Sequence, residues 1–504
     1  MSEPGPLLPK DKYNQQLEAN VHPNNWTNPT PEGRYNLVVI GAGTAGLVTA
    51  AGAAGLGAKV ALVERNLMGG DCLNVGCVPS KGLISAARAA RAVRDAQEFG
   101  IRVPQGTHVD FAEVMQRIRR LRSQISINDS ATRFKDLGVD VFFGEGKFCD
   151  SDCIEVNSTR LVFRRAVIAS GGRAAAPPLR GLDQVDYLTN ESVFSLTELP
   201  PRLAVIGAGP MGCELAQSFA RLGSEVHLFT SERGILPRED RQASAILSKE
   251  LEKDRVHIYP TGKCLELQKR GTSIGVKATG EKRHELVVDR LLVTVGRTAN
   301  VEHLNLQVAG VQHDQHGVQV NARLQTTNPR IYAAGDVCSH HKFTHAADFM
   351  ARIVIQNALF AGRAQVSDLT VPWCTYTSPE IGRIGLNETE ARDQNVEIVT
   401  YVQEFQDIDR AILEGSDAGF VKVHVAKNTD RILGATIVAD NAGDMISEIA
   451  LAMKHRIGLR GIARTIHPYP TQAEAIRKIG DQHNRTRLTP VVKSLFKQWL
   501  SWTR

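Results

Sequence analysis

One stretch of this chain occurs twice. Leu203 to Phe229 repeats the pattern of Leu37 to Val63 at an offset of 166 residues. Gly41, Gly43, Gly46 and Gly57 correspond to Gly207, Gly209, Gly212 and Gly223. Each copy runs from an apolar stretch through G-x-G-x-x-G and an amphipathic or Ala-rich segment to a second apolar stretch. The physical reading is strand, glycine turn, helix, strand, the unit that binds a dinucleotide. Leu37 to Ile40 is apolar throughout, as a parallel strand buried on both faces must be. The pattern appears only twice, so the chain is no short-period solenoid. Two dinucleotide-binding domains are therefore expected, in a fold of the α/β class. They fit a length of 504 residues, which allows about three domains.

The remaining segments sort around this repeat. Residues 1–33 are rich in Pro and Asn and read as an N-terminal tail or surface arm rather than a packed element. The uncharged run Leu37 to Ala58 is long enough to suggest a membrane span. Its Gly, Ala and Thr content fits strand, turn and helix better. Val287 to Val295 reads as one buried strand ending at Gly296-Arg297, and Ile331 to Asp336 as a strand entering a turn. Beyond about residue 367 the pattern changes. Phe420 to Val425 alternates with period two, as half-exposed antiparallel strands do. Helical patterns follow over Ala442–Lys454 and Gln472–Ile479. This end is read as a separate α+β domain. The N-terminus has no apolar core of signal-peptide type, so a cytoplasmic location is expected.

The first fingerprint has the context that gives the motif meaning. Its glycines let backbone approach a pyrophosphate, and a helix N-terminus favours that charge. Glu64 lies 23 residues beyond Gly41, where an acid hydrogen-bonds a ribose hydroxyl. The equivalent position in the second copy is Thr230, followed by Ser231, Glu232 and Arg233. Hydroxyls with Arg233 and Arg238 suit a 2′-phosphate, so NADPH is favoured over NADH. The other reading gives Glu232 the acidic role and NADH as cofactor.

Between the fingerprints lies Gly69-Gly70-Asp71-Cys72-Leu73-Asn74-Val75-Gly76-Cys77-Val78-Pro79-Ser80-Lys81. Two cysteines so spaced can close a small, reducible loop. Cys77 directly precedes a helix predicted from about Pro79 through Arg94. A helix N-terminus stabilises a thiolate, and Lys81 adds positive charge on the same face. A zinc half-site or two structural cysteines are the alternatives, but zinc needs four ligands and no second pair at finger spacing lies nearby. Cys149 and Cys153 sit in a turn-like stretch and receive a structural reading. Cys213, Cys264, Cys338 and Cys374 are isolated and read as inert. No metal site is assigned.

Taken together, two fingerprints flanking this cysteine pair resemble the class I flavin-dependent pyridine nucleotide–disulfide oxidoreductases, over nearly the whole chain after residue 34. That family includes mercuric reductase, dihydrolipoamide dehydrogenase and glutathione reductase. The resemblance implies an FAD-binding domain in two parts (34–175 and 301–366), an NAD(P)-binding domain (176–300) and a C-terminal α+β dimerisation domain (367–504). It assigns FAD to Gly41, Gly43, Gly46 and Glu64, with Lys81 near the flavin. Gly335-Asp336 matches the second FAD motif, with Asp336 on the ribityl chain. Ala169-Ser170-Gly171-Gly172 matches a linking motif that usually carries Thr at Ser170. Gly207, Gly209, Gly212, Thr230, Ser231, Arg233 and Gly296 fall to the nicotinamide cofactor, with Glu214 beside the nicotinamide. Cys77 becomes the flavin-proximal thiolate and Cys72 the exposed attacker. Homodimers are implied, with the C-terminal domain of one subunit completing the other's site.

Two departures refine this. Disulfide-reducing members carry His-Pro-Thr-x-x-Glu, in which Glu holds a His that serves thiols as acid and base. This chain has Tyr469-Pro470-Thr471-Gln472-Ala473-Glu474, so Tyr469 takes the base position and Glu474 keeps its place. A phenol of pKa near 10 is a poor shuttle for thiol exchange. Mercuric reductases resemble the chain here. His467, two residues earlier, is a candidate substitute base. No cysteine follows Cys374, whereas mercuric reductases usually carry a C-terminal pair that ferries metal inward. The expected enzyme thus passes electrons from NADPH through FAD and the Cys72–Cys77 pair to a soft metal ion or small disulfide. The alternatives are a dihydrolipoamide dehydrogenase using NADH, and a flavoprotein binding nucleic acid. A net charge of +6 permits the last, but aromatics at 6% offer little for base stacking, so no nucleic-acid partner is expected. From Thr489 a basic amphipathic helix is predicted, with two tryptophans. Peripheral membrane contact is one reading; docking on its own domain or a dimer partner is preferred.

Overall fold

The computed structural model describes residues 7–261, 265–280 and 283–504. Cys264, read as inert, lies outside them. The chain divides into two compact units: Met1–Ala208 with Ser218–Glu232 and Ile258–Leu369, and Gly209–Gln217 with Arg233–His257 and Thr370–Arg504.

The first unit is built on a sheet of β1 (Tyr35–Ile40), β2 (Val60–Glu64), β3 (Val139–Phe143), β4 (Gly146–Asp150), β5 (Cys153–Val156) and β6 (Thr159–Ile168), in the order β3-β2-β1-β6-β5-β4. The first four of that order run parallel, and Ile331–Ala333 adds a parallel strand on β6. Helices cover one side, and the antiparallel strands β4 and β5 with the segment 304–318 cover the other. Alternate residues feed two separate cores: Leu37, Val39 and Leu62 one, Val38, Ile40 and Ala61 the other. Burial on both faces is why β1 carries no polar alternation. Between β1 and β2 runs helix α2 (Thr44–Gly55). Its small residues permit close packing. A Cβ at Gly52 would meet Ile355 Cδ1, on helix Thr344–Phe360, at 2.7 Å. The uncharged run is thus explained by protein contact, and among the described residues no helix is long and apolar enough to cross a membrane.

The N-terminal arm is not a tail throughout. Lys12–Val21 forms α1, capped by Asp11, whose side chain accepts from the Tyr13 and Asn14 amides. Leu17 and Val21 are fully buried, and α1 packs on α5 (Phe111–Ile125). A short apolar stripe, Leu17 and Val21 at i and i+4, was enough to dock a helix within Pro- and Asn-rich flanks.

The second repeat folds as Arg202–Ile206, helix Pro210–Leu222 and Glu225–Thr230. Its strands pair in parallel, with Arg290–Val293 beside Arg202–Ile206 and Val256–Pro260 at the far edge. The expected single strand Val287 to Val295 is instead two. Arg283–Val288 closes an antiparallel three-stranded sheet, and Arg290–Val293 joins the parallel one. The chain turns at Asp289, whose carboxylate accepts from Arg202 Nε at 3.0 Å and Nη2 at 2.7 Å. A polar residue inside an apolar run marked the break.

The second unit holds a five-stranded antiparallel sheet in the order Pro372–Thr375, Glu380–Gly385, Ile432–Ala439, Phe420–Ala426, Ile398–Glu404. Helices Ala442–Lys454 and Glu474–Thr486 accompany it. Phe420–Ala426 is buried on both faces rather than half-exposed. Its polar positions find partners inside: Lys422 Nζ lies 2.7 Å from Asp240 Oδ2, and His424 Nδ1 is 2.9 Å from Thr400 Oγ1, while His424 Nε2 is buried without one among the described residues. Helix Pro490–Trp502 starts at Thr489, whose hydroxyl accepts from the Val492 amide. None of its residues is buried, so of the two docking readings the one on its own domain is not seen.

Replacing Leu17 by Ala tests the docked arm. Truncating a fully buried leucine should cost about 2–5 kcal/mol in denaturant unfolding. A surface tail would change by less than about 0.5 kcal/mol.

Candidate active site

The cysteine loop follows β2. It consists of a one-turn helix, α3 (Gly70–Asn74), and then α4 (Cys77–Asp95), capped by Gly76. The helix therefore begins at Cys77 itself, two residues before the expected start. The loop is fastened to the first fingerprint. The Gly69 amide donates to Ala42 O at 2.8 Å. Gly70 has φ of +55°, and a Cβ there would meet Gly43 Cα at 2.7 Å. Only glycine fits that conformation and that approach. Inside the loop, the Asn74 side-chain amide donates to Met68 O and Gly70 O.

From the other side, Arg122 Nη1 donates to Asn74 O at 2.6 Å, and its Nη2 to Asn14 Oδ1 at 2.5 Å. Burial, with Arg119 nearby, pulls the Arg122 guanidinium down to about 10. It remains charged at neutral pH, buried beneath the loop that joins the two cysteines. Arg119 itself takes Asp11 at 2.5 Å. The N-terminal helix thus reaches the redox loop through Asn14 and Arg122, a link that neither residue type announces in sequence.

Cys72 is half-buried and Cys77 exposed. The Cys72 thiol is hydrogen-bonded to Cys77, and this contact, then burial, pushes its pKa up. Thr344 touches both sulfurs: its hydroxyl lies 3.3 Å from Cys77 Sγ and hydrogen-bonds Cys72. Thr344 opens helix Thr344–Phe360, 267 residues from Cys77, and sequence reading did not single it out. Lys81 is half-buried on α4, one turn beyond Cys77.

The dinucleotide turn has the features an FAD pyrophosphate and ribose require. Gly41 has φ of +100° and its Cα faces the Ala169 carbonyl so closely that a Cβ would lie 2.4 Å from the oxygen. Helix α2 starts at Gly43 with no side chain capping its first amides, so they remain donors for an anion. Glu64 is buried and accepts from the Ala42 amide at 2.6 Å and the Asn66 amide at 2.8 Å. Burial raises its pKa and the two amides oppose the rise. Each oxygen keeps a second lone pair. An open pocket is lined by Gly41, Glu64, Gly144, Ser170 and Leu304. Ser170 Oγ donates to Asn300 O at 2.7 Å, and Gly171 O accepts from the Asn300 amide. Gly296 has φ of +75° and accepts from the Ala175 amide. Arg297, largely buried, bridges Asp71 and Asp336, the latter at 3.2 Å from Nε. Burial pushes the Asp336 carboxyl up, and Arg297 and Lys342 counter it. These residues fit FAD.

Of the second fingerprint, the Gly207 amide donates to Phe229 O, and Thr294 Oγ1 to Gly207 O at 2.8 Å. Gly209 and Gly212 flank and enter helix Pro210–Leu222. Thr230 is buried with its hydroxyl on Ser231 O, while Ser231 and Arg233 are exposed. In the second unit, buried Glu214 accepts from the Tyr376 amide at 2.9 Å. Tyr469 is 70% exposed and donates to Asp409 Oδ2 at 2.7 Å; that bond, and the carboxylate charge, raise the phenol pKa. Glu474 accepts from Arg477 Nη2 at 2.9 Å. The His467 ring is nearly buried, with Nε2 2.9 Å from Glu448 Oε1 and Nδ1 3.0 Å from Thr465 O.

Comparison with known proteins is decisive at the level of family. Residues 35–351 match the pyridine nucleotide-disulphide oxidoreductase model, and residues 371–479 its dimerisation domain. The chain belongs to this oxidoreductase family. The oxidoreductase is 34% identical to a mercuric reductase of Staphylococcus aureus over 449 residues, 88% of this chain and 82% of the relative. It is also 34% identical to a dihydrolipoyl dehydrogenase of Thermus scotoductus over 460 residues, 89% of this chain and 97% of the relative. A solved Cu(II) complex of the HOCl-induced flavoprotein disulfide reductase RclA from Escherichia coli superposes with a TM-score of 0.80. It is 26% identical and covers 90% of this chain and 100% of its own. Members of the family depend on FAD and use NAD(P)H.

The raised Cys72 pKa sets a pH dependence. A raised thiol stays protonated at neutral pH and ionises only in the alkaline range. In the reduced, FAD-loaded oxidoreductase, iodoacetamide labelling of Cys72, followed by peptide mapping, should keep accelerating above the ordinary thiol value of about 8.5. A plateau below pH 8 would contradict the assignment.

Proposed function

We propose that this oxidoreductase takes reducing equivalents from NADPH and delivers them through the Cys72–Cys77 pair to a soft metal ion or small disulfide, in the manner of mercuric reductase. The observation that carries it is the hydrogen-bonded sulfur pair at the start of α4, fixed to the dinucleotide turn.

In this reading residues 34–175 and 301–366 hold FAD, 176–300 the nicotinamide cofactor, and 367–504 the dimer face. Bound FAD would supply what no side chain here can, the acceptance of hydride and its conversion to electrons that reduce a disulfide. Gly41, Gly43 and Gly46 would receive its pyrophosphate, Glu64 its ribose and Asp336 its ribityl chain, with Ser170, Gly171 and Lys81 nearby. Gly207, Gly209 and Gly212 would hold the second pyrophosphate, Thr230, Ser231 and Arg233 the 2′-phosphate, and Glu214 and Gly296 the nicotinamide end.

Cys77 stays beside the flavin, and Cys72 meets the acceptor. As the sulfur–sulfur bond reforms, the two thiols release two protons and an electron pair; a disulfide acceptor takes both, whereas a metal ion such as Hg(II) takes the pair and the protons pass to solvent. Thr344 offers a hydroxyl to both sulfurs. Arg122 fixes the intervening carbonyl. Tyr469 and Glu474 act across the dimer. Asp409 raises the Tyr469 pKa, so the phenol keeps its proton at neutral pH and serves as a donor rather than a base. A phenol that holds its proton cannot first accept one from the attacking Cys72 thiol, as exchange with a disulfide requires, whereas reduction of a metal ion calls for no proton to be returned. His467, tied to Glu448, is the alternative base.

Turnover on Hg(II), Cu(II), glutathione disulfide and lipoamide, with NADPH and NADH in parallel, decides among acceptors. Metal reduction with NADPH should be fastest, and Cys72→Ser should abolish it. Fast lipoamide turnover with NADH would overturn the reading. Tyr469→His restores a shuttle with pKa near 6.5 and should raise glutathione disulfide turnover by roughly 10–100-fold. No gain would remove Tyr469 from the proton path.

A further inference from the structure

Helix Pro490–Trp502 is a separate matter from the redox site. At 100° per residue its apolar side chains fall on one half of the cylinder, and Lys493, Ser494, Lys497, Gln498 and Ser501 on the other. Val491, Leu495, Phe496, Trp499, Leu500 and Trp502 are each more than half exposed. A continuous apolar face of this kind needs a partner.

Burial and charge narrow which partner. The chain itself buries none of the helix. The matched dimerisation domain ends at residue 479, so the helix lies beyond the interface segment that the family shares. Charge is the second observation. After Asp481 no carboxylate side chain occurs, while Arg485, Arg487, Lys493, Lys497 and Arg504 all do. A symmetric contact between two copies would set this cationic segment against itself. An anionic surface with an apolar interior complements both faces at once. With 13 residues the helix is about 20 Å long, too short to cross a hydrocarbon core of about 30 Å. Its two tryptophans are the residue type that rests at the headgroup level.

We propose that Pro490–Trp502 docks the oxidoreductase on an anionic lipid bilayer. The helix lies in the interface plane, its apolar half among the upper acyl chains and its lysines against the headgroups. This inference does not depend on which acceptor the redox site reduces.

The test is sedimentation of the FAD-loaded, full-length protein with vesicles. One set is phosphatidylcholine with about a quarter phosphatidylglycerol; the other is phosphatidylcholine alone. Binding should be roughly tenfold or more stronger to the anionic set and should weaken as salt rises. The pair Phe496→Glu and Leu500→Glu should abolish it while leaving NADPH oxidation in solution unchanged, because both side chains are exposed. The pair Lys493→Glu and Lys497→Glu should remove the preference for anionic lipid. Equal, salt-independent association with both vesicle types, or none with either, would overturn the proposal. So would a sedimentation velocity of the free protein that falls on Phe496→Glu and Leu500→Glu in the absence of vesicle binding, since the face would then join two copies.

Discussion

The redox chemistry open to this chain depends on a backbone contact between two glycines. Gly70 approaches Gly43 so closely that a methyl group could not be placed between them. The Gly69 amide adds a hydrogen bond to Ala42 O beside it. A cysteine loop and a phosphate-binding turn, 27 residues apart in sequence from Gly43 to Gly70, are thereby held as one rigid piece. Electron transfer over short range needs such fixed geometry. The hydrogen bonds from Asn74 and Arg122 keep the loop from relaxing elsewhere.

Around that contact the charges are arranged with little freedom. Arg297 stands between Asp71, inside the cysteine loop, and Asp336, beside the second FAD motif. It is buried with its partners in place, the condition under which a buried cation is tolerable. Arg122 is different: its named acceptors, Asn74 O and Asn14 Oδ1, are both neutral. The carboxylate that acts on it, Asp11, is already paired with Arg119. The sulfur contact itself favours a shared proton, which is why Cys72 ionises late.

Much of the architecture was legible in the sequence because it is local. The repeat at offset 166 identified both β-α-β units, since glycine spacing and apolar runs are dictated by the turn and by double-sided burial. Ala442–Lys454 was readable from its period alone. What was not legible depended on tertiary context. Helix α1 hid among prolines because two buried apolar residues suffice to dock it. Phe420–Ala426 alternates like a half-exposed strand, yet Lys422 and His424 meet Asp240 and Thr400 inside. Thr344 reaches the cysteines, and Arg122 the loop between them, from distant segments, and nothing adjacent to either marks them. At Tyr469 the sequence showed the departure but not its consequence, which is set by Asp409, 60 residues away.

The central claim is that Cys72 and Cys77 form a second two-electron centre coupled to the flavin. Anaerobic titration of the FAD-loaded protein with NADPH or dithionite measures it directly. The wild type should consume twice the reductant that its flavin alone requires, and Cys72→Ser should consume only the flavin's share. A wild type that stops at the flavin's share, indistinguishable from Cys72→Ser, would contradict the account.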